Sequence, residues 1–148
     1  MRIPKKCQYA LRAVFELALR EPGKPVKIHQ IASAQDMPPR FLEAILNQLR
    51  HAGFVDSLRG NEGGYMLARA AENLMVGEII ECIQGPIFIA PDAGKATRDS
   101  TFFGDEALKK LWQEVNSAVS EVCHNKTFAD LVEFEQAKRK QCIPNYCI

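Results

Sequence analysis

The stretch "PPRFLEAILNQLRHAGFVDSLRGNEGGYMLAR", residues 38–69, changes its repeat halfway along. In the first half Phe41, Leu42, Ile45, Leu46 and Leu49 recur at helical spacing and are predicted to face a core. Arg40, Glu43, Asn47 and Arg50 follow at spacings of 3, 4 and 3 and share the outer face, which is polar and mixed in charge. Pro38 and Pro39 suit a helix start, because the first turn does not need the N–H that proline lacks, and Gly53 ends the helix. The second half holds two short strand-like runs, "FVDSLR" and "GYMLAR", around a tip containing Gly60, Gly63 and Gly64. This reads as a β-hairpin whose glycines permit positive φ angles and let the backbone come close to another molecule.

Upstream, Leu11, Phe15 and Leu19 at four-residue spacing, widened by Ala10, Val14 and Leu17, predict an amphipathic helix over residues 5–20. "EPGKP" stops it, and Ile28, Ile31 and Ala32 suggest a short second helix. Helix, short helix, helix and glycine-tipped hairpin are the parts of a winged helix-turn-helix, whose second helix enters the major groove while the hairpin reaches alongside.

Downstream, "NLMVGEIIECI" predicts a further short helix with Met75, Ile79, Ile80 and Ile83 towards the core, and residues 85–104 read as a loop. From Asp105 to Cys123 the apolar positions Leu108, Leu111, Val115, Ala118 and Val122 alternate at 3 and 4 residues, with Trp112 and Val119 widening the seam. Such a helix is about 28 Å long and needs a partner along its length. Thr127 is a good N-cap, with Asp130 three residues on, for a last helix carrying Phe128, Leu131, Val132 and Phe134. The fold class expected is mainly α with a small β-hairpin. A winged helix-turn-helix domain covers residues 1–84, a loop 85–104, a long dimerisation helix and a returning helix 105–135, and a cysteine-containing tail 136–148.

With 148 residues, 47% hydrophobic and 25% charged, the composition is that of one soluble globular unit, and no apolar run reaches the roughly 20 residues of a membrane span. The start "MRIPKKCQYALRAVFELALR" is read as mature structure, because Arg12, Glu16 and Arg20 interrupt its apolar residues, and a cytoplasmic location is expected. Residues 1–69 hold 11 Lys and Arg against 6 Asp and Glu, a net +5, whereas residues 70–148 hold 8 against 12, a net −4. The first half is therefore where an anionic partner would sit.

On these residues a family resemblance rests. "YALRA", "FLEAILNQLRHAGFV", the wing "RGNEGGYMLAR", "VGEIIECI" before a long helix, and "TFADLVE" together resemble the Rrf-type bacterial transcriptional regulators over nearly all of residues 1–135. The resemblance implies a homodimeric, sequence-specific regulator that binds double-stranded promoter DNA. Arg40 and Glu43 of the third helix would meet base edges, where Arg pairs with guanine and Glu accepts from cytosine. Arg59, with Gly60 and Asn61 at the wing tip, would reach a minor groove or phosphate, and Lys5, Lys6, Asn47 and Arg50 would add phosphate attraction or polar contacts. Family wings commonly continue the Arg-Gly pair with proline and glycine, whereas this chain has Asn61 and Glu62, so a carboxylate stands near phosphate. Family members that hold an iron–sulfur cluster place three cysteines in the loop before the long helix; residues 85–104 contain none, which leaves the cofactor unknown.

Five cysteines, an odd number without the density of a secreted mini-protein, imply thiols. Cys82 reads as a small buried hydrophobe. Cys7, Cys123, Cys142 and Cys147 are candidate metal or redox residues, with His124 beside Cys123 and "IPNY" between the last two; loose tails with cysteines are also often without function. His29 and His51 are surface residues without metal spacing. The residues alone leave a solvated face as the plain alternative to DNA contact on the third helix, and packing across its own domain as the alternative to dimerisation. A thiol enzyme is disfavoured, since no cysteine stands beside a matching His and acid. The input signal divides between thiol or metal chemistry and a small molecule or partner protein, and an interaction adaptor without DNA binding is a further rival.

Overall fold

The computed structural model describes residues 3–87 and 104–141. They form α1 (Lys5–Leu19), α2 (Ile28–Ala34), α3 (Pro39–His51), β1 (Val55–Leu58), β2 (Gly64–Leu67), α4 (Val76–Gln84), α5 (Asp105–His124) and α6 (Phe128–Gln141), with one 3-10 turn at Ala71–Asn73. The mainly helical architecture with a small hairpin is the one the sequence predicts.

The principal core is built where α1, α2 and α3 meet under the hairpin. Ala10, Ala13, Val14 and Leu17 of α1 face Ile31 of α2 and Leu42, Ile45, Leu46 and Leu49 of α3, all buried. Small residues on α1 let α3 approach closely. The buried face of α1 is therefore rotated from the one predicted: Leu11, Phe15 and Leu19 are only half-buried at its edge. Another correction concerns Phe41, placed in the core stripe by spacing but 64% exposed. Met75 and Ile83 are half-buried, while Leu74, which the spacing did not single out, is fully buried.

Between α2 and α3 the chain turns through Asp36, at a left-handed φ of 49° that Asp tolerates better than most residues. The Met37 N–H reaches back to the Ala32 carbonyl at 2.9 Å, and Pro39 opens α3. A buried carboxylate clasps this corner: Glu16 accepts from Arg20 Nε at 2.9 Å and from Gln35 Nε2 at 2.9 Å, tying α1 to the end of α2. Buried charge is tolerable only when paired and hydrogen-bonded in this way.

β1 and β2 pair from Val55↔Leu67 to Leu58↔Gly64, so the wing tip is residues 59–63. Val26 bridges to the hairpin by exchanging two 2.8 Å hydrogen bonds with Tyr65. Gly64 is required here by close approach, since a Cβ on it would lie 2.5 Å from the Val26 carbonyl oxygen. Gly60 carries the positive φ, 107°, that the tip needs.

α6 returns to the core. Thr127 and Asp130 exchange side-chain to backbone hydrogen bonds at 2.9 and 3.0 Å, a capping box, and Phe128 behind it is fully buried beside Leu74. The helix continues to Gln141, so residues 136–141 are helical instead of belonging to a tail. Of the other apolar residues on this helix, Leu131 and Phe134 are exposed.

Candidate nucleic-acid interface

The outer face of α3 lies between two flanks, each fixed by hydrogen bonds. On one flank Gln48 accepts from Lys6 Nζ of α1 at 2.7 Å and donates to the Cys82 carbonyl of α4 at 2.9 Å, so three helices are pinned at one point. On the other, Arg50 donates to Ser57 Oγ of β1 at 3.1 Å, which ties the end of α3 to the wing. Arg40, Glu43, Arg50, Lys5 and Lys6 are exposed, and Asn47 is half-buried with its carbonyl engaged by His51 Nδ1 at 2.6 Å. Arg59, Gly60, Asn61 and Glu62 are exposed at the wing tip. The flanks thus carry cations from α1 and the wing, and the face between them carries donors and acceptors. Gln48 and Ser57, which set this geometry, were not visible to spacing because their partners lie on other elements.

The wing is held at its base as well. Arg69 pairs with Glu78 of α4 at 2.7 Å and stands over the Phe54 ring, 5.2 Å from its centroid. These contacts make the hairpin an extension of the helical body.

The end of α5 packs against the start of α4 at a tight joint. Gly77 leaves room for the His124 ring; a Cβ there would come within 2.8 Å of it. His124 faces the Ser120 carbonyl through Nδ1 at 2.8 Å and Glu81 through Nε2 at 3.4 Å. The Ser120 hydrogen bond raises its pKa first, burial opposes, and Glu81 and Glu78 raise it further. Beyond this joint Leu108, Leu111, Trp112 and Val122 are exposed, Leu108 by 55% and Val122 by 63%, while Val115 and Val119 are half-buried and Ala118 is exposed.

A helix-turn-helix whose outer helix is flanked by cations and a wing defines a DNA-binding winged helix-turn-helix transcriptional regulator. Comparison with known proteins agrees: the Rrf2 model, described as iron-dependent transcriptional regulator, matches residues 3–134. The chain belongs to the Rrf2 family, whose members are regulators and not enzymes. It is 37% identical over 132 residues to a Mycobacterium tuberculosis protein provisionally named an HTH-type transcriptional regulator, covering 88% of this chain and 81% of that one. Against CymR of Bacillus subtilis the identity is 30% over 140 residues, 95% of this chain and 96% of that one. The solved structure of T. potens IscR superposes with a TM-score of 0.76 at 30% identity, covering 99% of this chain and 95% of that one.

The iron in the family's description finds no matching ligand set among the described residues. Among the described residues no group of three or more His, Cys, Asp or Glu side chains could hold a metal ion, and residues 85–104 contain no cysteine. Cys7 is buried and Cys123 half-buried in one apolar cluster with Ile80 and Ile87. Burial pushes the Cys7 thiol up, and Cys123 adds to the effect; burial likewise raises Cys123, with Glu81 adding, and raises Cys82 against Lys6. Cys142 and Cys147 lie outside the described residues. Among those residues no helix is long and apolar enough to cross a membrane.

Proposed function

We propose that this chain works as a homodimer that occupies a palindromic promoter site, with one α3 in each of two successive major-groove turns. The observation that carries the dimer is the exposed apolar seam of α5, Leu108, Leu111 and Trp112, on a helix about 30 Å long. An apolar stripe of that length in water favours a partner, and a second copy supplies an identical stripe under two-fold symmetry. Arg40 and Glu43 would read base edges, Arg59 would enter the groove beside the wing, and Lys5, Lys6 and Arg50 would neutralise phosphates. Measured against salt, duplex affinity should fall steeply, the slope of log affinity against log salt steepening by about one unit for each phosphate neutralised. Salt-independent or absent binding to any upstream duplex would overturn the DNA part. A Leu111→Glu/Trp112→Glu variant should sediment as a folded monomer; a dimer that survives the two carboxylates would overturn the other part.

A second reading concerns the signal. The described thiols are raised by burial, so none is a ready thiolate at neutral pH, and fast reaction with peroxide is not their chemistry. A redox input then falls to Cys142 and Cys147. A Cys142→Ser/Cys147→Ser variant whose DNA affinity still responds to peroxide would remove the two tail cysteines from this role, whereas a wild type indifferent to peroxide would leave a small molecule or partner protein as the signal.

A further inference from the structure

We infer that Phe41 is a specificity-determining residue, reading the C5-methyl group of a thymine in each half-site. The inference rests on the DNA-binding reading of α3 given above. Phe41 lies in the first turn of α3, one residue after Arg40, and its ring is 64% exposed although leucines and isoleucines a turn away are buried. It sits on the flank of α3 where Gln48, seven residues and two turns on, is fixed by Lys6 and by the Cys82 carbonyl, so that flank of the helix is tied to α1 and α4. Ala44, also exposed, follows at helical spacing and extends an apolar strip beside the polar residues.

The first turn of a recognition helix is the part that meets base edges. In the major groove the base edges offer donors, acceptors and one apolar group, the thymine methyl. A phenyl ring has no hydrogen bond to give, so the methyl is the element of the groove that it complements. Arg40 and Glu43 then recognise guanine or cytosine while Phe41 selects thymine, and the three side chains together cover neighbouring base pairs.

The test uses the full-length protein. A randomised duplex pool is first enriched for bound sequences at fixed salt. Every thymine of the enriched duplex is then replaced singly by uracil, which removes only the methyl, and affinities are measured for the wild type and for Phe41→Ala and Phe41→Leu. The expected result is one symmetry-related thymine per half-site whose replacement weakens wild-type binding by about fourfold, the worth of one buried methyl group. Phe41→Ala should bind both duplexes equally, and Phe41→Leu should keep part of the preference. Circular dichroism should show all three proteins equally folded, since Phe41 is outside the core. A wild type indifferent to every replacement, or a Phe41→Ala variant as sensitive as the wild type, would overturn the inference while leaving DNA binding intact. Failure to enrich any duplex would overturn the DNA-binding reading, and this inference with it.

Discussion

Phe128 and Arg40 show how differently single residues act in this molecule. Phe128 is fully buried and connects the returning helix to the core, so Phe128→Ala should cost about 3–5 kcal/mol of stability, read as a lowered urea midpoint at fixed protein concentration. Arg40 is exposed and its side chain makes no hydrogen bond or ion pair among the described residues, so Arg40→Ala should leave the urea midpoint in place and weaken specific duplex binding by about 1–3 kcal/mol. Arg59→Ala should instead reduce the salt slope by about one, because a phosphate or groove cation acts on every sequence alike. Arg40, Glu43 and Arg59 were legible as exposed from spacing and from the glycine-rich tip. Phe41 was not, for a geometric reason. At about 100° per residue it lies roughly a quarter-turn from the middle of the arc occupied by Leu42, Ile45, Leu46 and Leu49, at the edge of the buried stripe. Glu16 was hidden for another reason: one of its partners, Gln35, is 19 residues away, beyond any local repeat.

At the scale of elements, the sequence announced most helices because their apolar residues recur at the helical period and their ends carry proline, glycine or a capping box. Thr127 and Asp130 made the start of α6 legible in this way. The α4–α5 joint was not legible, since the contact between Gly77 and His124 joins residues 47 positions apart. This joint should respond to pH. His124 has a raised pKa in the folded state, caused first by the Ser120 carbonyl and then by Glu81 and Glu78, with Arg69 already neutralising Glu78. A raised folded-state pKa means that the stabilisation is fully present below about pH 6.5, the ordinary histidine value, and is lost as pH rises through the higher folded value. Thermal unfolding followed from pH 6 to pH 9 should show this loss in the wild type and not in His124→Asn. Equal pH dependence in the two proteins would assign no role to the imidazolium. Gly77→Ala should displace α5 at every pH, because the added methyl meets the ring itself.

Across the whole molecule, a basic DNA-facing half and an acidic half bearing a long apolar seam follow from the uneven charge of the chain, net +5 over residues 1–69 and net −4 over residues 70–148. The links Lys6–Gln48–Cys82 on one flank of α3 and Arg69–Glu78 under the wing tie α3, the wing and α4 to one another. A signal acting on the α5 seam would therefore alter the distance between two recognition helices more readily than the shape of either one. The most direct test of this account takes the enriched palindromic duplex and inserts five base pairs between its halves, half a helical turn. Two recognition helices fixed in one dimer should then face opposite sides of the DNA, and affinity should fall by about two orders of magnitude, towards the non-specific level. Unchanged affinity would mean that each half is read by an independent monomer, and the dimeric regulator proposed here would be contradicted.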